Sequence, residues 1–86
     1  MTIELFSQIA MARELPDHGL CRGDIATVVE QLPATKASGG KPGYILELFN
    51  AIGETVAVVI VPVSGVEPLR ASEVLSVRPF HPRETS

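Results

Sequence analysis

Glu14-Leu15-Pro16-Asp17-His18-Gly19-Leu20-Cys21-Arg22-Gly23-Asp24-Ile25-Ala26-Thr27-Val28-Val29-Glu30 is a turn-rich hook that feeds a β-strand. Gly19 and Gly23 permit backbone angles closed to other residues. Gly23-Asp24 then opens a β-branched run from Ile25 to Val29, which suits a pleated, half-buried surface. A hook that delivers the chain into such a strand predicts a small β-barrel.

Upstream of the hook, residues 3–7 read as a single turn and residues 8–14 as a strand, which Leu15-Pro16 ends because proline removes a ladder donor. Downstream, residues 25–32 form the second strand, with Ile25, Thr27 and Val29 on one face and Ala26, Val28 and Glu30 on the other. Pro33 stops it. Residues 33–43 hold Pro, Thr, Lys, Ser and three glycines and read as a flexible loop. Residues 44–50 are a third strand. Ala51-Ile52-Gly53-Glu54 is a hairpin connection in which Gly53 takes a positive φ. Residues 55–63 are a fourth strand and the most apolar segment. Residues 71–75 read as a tight helical turn capped by Ser72, and residues 76–80 as a short closing strand. Short strands separated by turn signals imply an all-β fold. The length supports a small barrel of about five antiparallel strands, with a short helical turn near the C-terminal strand.

With 86 residues the chain has room for one domain. We assign residues 1–80 to it and residues 81–86 to a flexible tail. An apolar content of 45% argues against global disorder. The formal net charge of -3 works against binding to a phosphate backbone, which needs concentrated Lys and Arg. Cys21 stands alone, so it cannot staple its own chain, and the reading that follows is a reducing, cytoplasmic setting. The opening residues lack a basic lead and carry Glu4, unlike a secretory signal. The run 55–63 is far short of the roughly 20 residues a spanning helix takes. No membrane role is expected.

The hook Leu15-Pro16-x-His18-Gly19-Leu20-x-x-Gly23-Asp24-x-x-Thr27-Val28-Val29-Glu30 resembles the signature of a family of small bacterial proteins known as domain of unknown function 4926. The similarity extends through the strand from Tyr44, the turn after it, the Ala57-Val58-Val59 run and a Val77-Arg78-Pro79 ending. Ala26 departs from the pattern, where a glycine is usual. The long 33–43 loop and the stretch 64–70 also depart. The resemblance implies an SH3-like barrel, distantly similar to the KOW type of ribosomal and transcription proteins. It implies no activity, catalytic residue or cofactor.

The residues themselves offer little chemistry. Asp17, His18, Cys21 and Asp24 gather in the hook, but His18-x-x-Cys21 supplies only two metal ligands where about four are needed. We expect turn chemistry there, not a metal site. Arg22 beside Cys21 invites a nucleophile reading, yet His18 as partner base would point to the opposite face of an extended segment. Gly39-Gly40-Lys41 lacks the earlier glycine and the following Ser or Thr of a phosphate-binding loop, and Pro42 removes a donor. No catalytic set, metal site or cofactor is expected, and no small-molecule substrate is identified.

The surplus of apolar residues points elsewhere. If Leu46, Leu48, Val56, Val58 and Ile60 fill the barrel, then Ile45, Phe49, Ala57, Val59 and Val61 are left on a second face. Either Leu5, Phe6 and Ile9 fold across it, or it meets a partner. The expected function is a non-catalytic protein-binding module, self-associating as a homodimer through Ile45, Phe49, Ala57, Val59 and Val61. The rival readings are a KOW-like nucleic-acid-binding barrel around Lys36 and Lys41, and an antitoxin or regulatory small subunit of another bacterial protein.

Overall fold

The computed structural model describes residues 3–37 and 39–80, and these form one antiparallel sheet. Its strands are β1 (Gln8–Met11), β2 (Ile25–Leu32), β3 (Gly43–Phe49), β4 (Thr55–Pro62) and β5 (Val66–Pro68). Their order across the sheet is β4-β3-β2-β1-β5. The expected all-β architecture of five antiparallel strands is the observed one. β2, β3 and β4 run as a meander, whereas β1 pairs with both β2 and β5. β4 and β5 are therefore the two edges.

The inner face carries Ile9 and Met11 from β1, Ala26 and Val28 from β2, and Tyr44, Leu46 and Leu48 from β3. Val59 and Val61 of β4 and Val66 of β5 join the same cluster. Flat strands at neighbour spacings of about 4.8 Å would hold the two edges roughly 19 Å apart. One cluster fed from both edges thus requires the sheet to coil around it. Two bulges help, because an extra residue bends its strand and raises the local twist. One lies in β2 at Val29, where pairing steps from Val28↔Leu46 to Glu30↔Ile45. The other lies in β4 at Val56, where pairing steps from Leu48↔Ala57 to Phe49↔Thr55.

Two expectations for the C-terminal third are corrected. The fifth strand is Val66–Pro68, not residues 76–80. The place beside β1 is filled in the register Met11↔Val66 to Ile9↔Pro68, and residues 76–80 pair with no strand. The helical turn is the 3-10 turn Val63–Gly65, just ahead of β5. Residues 71–75 are not helical. The Arg70 N–H donates to Glu73 Oε1 (2.6 Å) and the Glu73 N–H to the Arg70 carbonyl (3.0 Å), closing a single turn. Short helices depend on packing an apolar stripe, and Val74, Leu75 and Val77 are all exposed. The tail expected at 81–86 lies outside the described residues.

The hook folds as its glycines suggest. Pro16–His18 is a 3-10 turn closed by Gly19 in the left-handed region, at φ 70°. Leu15 and Leu20 bridge its neck, and Leu20 is driven into the core. Gly23, at φ 90°, turns the chain into β2. Gly53 holds its expected positive φ in the β3–β4 hairpin. There Asn50 Oδ1 accepts the N–H groups of Ile52 (3.1 Å) and Glu54 (2.9 Å).

Candidate functional site

The outer surface of β3 and β4 is built by register. Directly opposed residues of an antiparallel pair share a face. Tyr44↔Val61, Leu46↔Val59 and Leu48↔Ala57 point inward, while Ile45↔Ile60 and Glu47↔Val58 point outward. Val58 is 61% exposed and Ile60 60%, whereas Val59 is 9% and Val61 2% exposed. Ile45 is half-buried and Phe49 is 44% exposed.

The five residues expected on the outer face therefore divide. Ile45 and Phe49 lie on it. Ala57 is half-buried against the core, and Val59 and Val61 are core residues. Val58 and Ile60, expected inside, occupy the surface instead. The cause is the bulge at Val56. Without the extra residue, continuing the Phe49↔Thr55 pairing would set Leu48 opposite Val56 and Leu46 opposite Val58, which is the expected arrangement. A slip of one residue exchanges the faces of every residue beyond it. β4 is apolar on both sides, so no alternation in the sequence marks where the slip falls.

Leu5 and Phe6 do not dry this surface. Both are exposed, and Ile9 is inside. The Phe6 N–H instead donates to the Val28 carbonyl (2.5 Å), and the Val28 N–H to the Ser7 carbonyl (3.0 Å), which ties the segment to β2. Where β4 ends, a cleft of about 520 Å³ opens between Leu32, Pro33, Lys41, Pro42, Ile60 and Pro62. It extends the apolar surface toward the loop after β2.

One carboxylate of the hook, Asp24, is tied up within the fold. Asp24 Oδ2 accepts the Cys21 N–H (2.7 Å). Arg78 Nε donates to Asp24 Oδ1 (2.8 Å), and its Nη2 donates to Asp24 Oδ2 and to the Gly19 carbonyl (3.0 Å). Arg78 also lies 5.8 Å from the centroid of the Phe80 ring, which packs against the core. Burial pushes the Asp24 carboxyl up, but Arg78 and the Cys21 N–H outweigh it and hold the carboxyl below its ordinary value. Cys21 is exposed, not tucked into the fold. Among the described residues no group of three or more His, Cys, Asp or Glu side chains is placed to hold a metal ion. No helix among them is long and apolar enough to cross a membrane.

A family model described as a domain of unknown function (DUF4926) matches residues 5–68, which include the hook and all five strands. No curated protein and no solved structure matches the chain.

Proposed function

The chain belongs to the DUF4926 family, which carries no assigned activity, and from that premise we propose that it is a non-catalytic protein-binding module that associates with a second copy of itself. The observation behind the proposal is the pair Val58 and Ile60, each about three-fifths exposed on an edge strand. Residues 55–62 contain no charged side chain. Natural edge strands are usually blunted by lysine, by inward-pointing charges or by a covering segment. Among the described residues β4 has none of these along its length; its single proline, Pro62, stands at the last position.

A second copy fits because the surface is apolar apart from one acidic side chain. Glu47 is the acidic residue facing outward on β3, and its Oε2 accepts the Thr55 hydroxyl (3.0 Å). The remaining outward groups, Ile45, Phe49, Val58 and Ile60, are apolar. Fully burying one such side chain contributes on the order of 1.5–3 kcal/mol before the costs of association. A few anchors of that size suffice for a stable contact.

Sedimentation of the purified chain tests the reading. The expected result is a dimer that Ile60→Glu converts to a folded monomer. A wild-type chain that stays monomeric at every concentration overturns it.

A further inference from the structure

We infer that two copies join edge to edge, with β4 pairing antiparallel to β4 of the partner subunit about a two-fold axis at Val59, so that two five-stranded sheets become one. This rests on the self-association reading and specifies its geometry.

The phase of the β3–β4 ladder carries the inference. The Val63 N–H donates to the Pro42 carbonyl (3.2 Å). A Cβ built on Gly43 would stand 2.9 Å from the Val61 carbonyl oxygen, so that oxygen also faces β3. Main-chain groups alternate sides along a strand. The N–H and C=O groups of Val59 and Val61 are thus spent on β3, and those of Val58 and Ile60 point away from it. Among the described residues β4 pairs with β3 alone. The outward row is an unused template, and it coincides with the two exposed large apolar side chains of the strand.

The row complements itself. A two-fold axis at Val59 sets Val58 opposite Ile60 of the partner subunit and Ile60 opposite the partner's Val58. Each pair then exchanges both of its main-chain hydrogen bonds. Pro62 falls opposite Val56 of the partner subunit, at the rim, where its missing donor costs least. Isologous contacts of this kind close at two copies and do not propagate. The same alignment brings the outward side chains of Val58 and Ile60 from both copies into adjacent cross-strand pairs.

Amide hydrogen exchange of the full chain, followed by NMR at low and high protein concentration alongside sedimentation, tests this. The expected result is a dimer in which exchange at the Val58 and Ile60 amides slows by about tenfold or more as the dimer fills. Contacts between Val58 and Ile60 of the partner subunit should appear in an isotope-filtered experiment on mixed labelled and unlabelled chains. A dimer whose Val58 and Ile60 amides stay unprotected overturns edge pairing and leaves self-association standing. A dimer that protects these amides together with those of Val74 and Val77 overturns it in favour of the partner's C-terminal segment as occupant. A monomer at all concentrations overturns both readings.

Discussion

Asp24 and Arg78, 54 residues apart, form a two-pronged ion pair that ties the segment after β5 to the hook before β2. Asp24 lies inside the stretch shared with the family and Arg78 beyond it. Residues 69–80 have no ladder of their own. Their attachment rests on this pair, on the Gly19 carbonyl and on Phe80 against the core.

Arg78→Ala should therefore loosen the segment without unfolding the sheet. Arg78 is 35% exposed and its partner 16%, so solvent weakens the pair but does not abolish it. A partly exposed, bidentate pair of this kind contributes about 1–2 kcal/mol. We expect a urea midpoint lowered to match, and proteolysis within residues 69–77 faster than in the wild type. Arg78→Lys should recover only part of the loss, since a point charge cannot reproduce the guanidinium fork. Unchanged proteolysis in Arg78→Ala would show that Phe80 alone holds the segment.

The same pair sets a pH dependence. The folded-state pKa of Asp24 is lowered, so ionised Asp24 favours the folded state. That contribution is complete above the unfolded value of about 3.9 and is lost as the pH falls through the lower folded value. Urea midpoints followed from about pH 6 to about pH 3 should drop less steeply in Asp24→Asn than in the wild type. Arg78→Ala should also flatten the curve, because both contributions it removes favour the carboxylate. Parallel slopes in all three proteins would assign the acid sensitivity to other carboxylates.

The sequence was most legible where one residue type answers one geometric need. Gly19, Gly23 and Gly53 mark three positive-φ turns, and each lies where the turn chemistry places it. β2 is found at residues 25–32 because a β-branched run sits between Asp24 and Pro33. The outer face of β4 was not legible. Its phase depends on one unpaired valine inside a run apolar on both sides, and nothing local distinguishes Val56 from its neighbours. The fifth strand was misplaced for a related reason. Val66-Glu67-Pro68 and Val77-Arg78-Pro79 are similar short stretches, and which of them forms the strand is decided by the edge of β1. The Asp24–Arg78 pair was missed altogether, since sequence separation hides a contact that only tertiary structure creates.

Gly43→Ala should destabilise the sheet. The added methyl would meet the Val61 carbonyl oxygen at 2.9 Å, and that oxygen is main chain, held by the β3–β4 ladder. Strain of this kind costs about 1–3 kcal/mol. For a domain of this size each kcal/mol lowers Tm by about 4–8 °C. Gly65→Ala is the control, because its nearest contacts are Pro62 side-chain atoms at ordinary distances of 3.8 and 3.9 Å. A Gly43→Ala chain melting with the wild type would mean that β4 gives way at no cost.

Phe6 carries strain of a different kind. It has a φ of 64°, the single positive value at a non-glycine residue among those described, and its side chain is exposed. A bulky residue in this region costs roughly 1–2 kcal/mol, and asparagine tolerates it better. Phe6→Asn should therefore raise the urea midpoint by the equivalent of about 0.5–1 kcal/mol. Phe6→Gly should gain less, because glycine also frees the unfolded chain. A loss of stability in Phe6→Asn would reveal that the ring makes a contact that repays its backbone.

The face assignment of β4 is tested most sharply by moving one charge by one residue. Val58 faces solvent opposite Glu47, whereas Val59 faces the core opposite Leu46. Val58→Lys places an ammonium across from a carboxylate, a cross-strand pair worth roughly 0.2–1 kcal/mol. It also adds the edge charge that β4 lacks. The variant should remain folded by circular dichroism and sediment as a monomer. Val59→Lys buries an unpaired charge, at a cost of several kcal/mol that a chain of this size cannot absorb, and should unfold. The two outcomes would exchange if the bulge at Val56 were absent, because the expected faces would then be the true ones. Circular dichroism of this pair of variants thus reads out the register of the hairpin directly, whatever the oligomeric state proves to be.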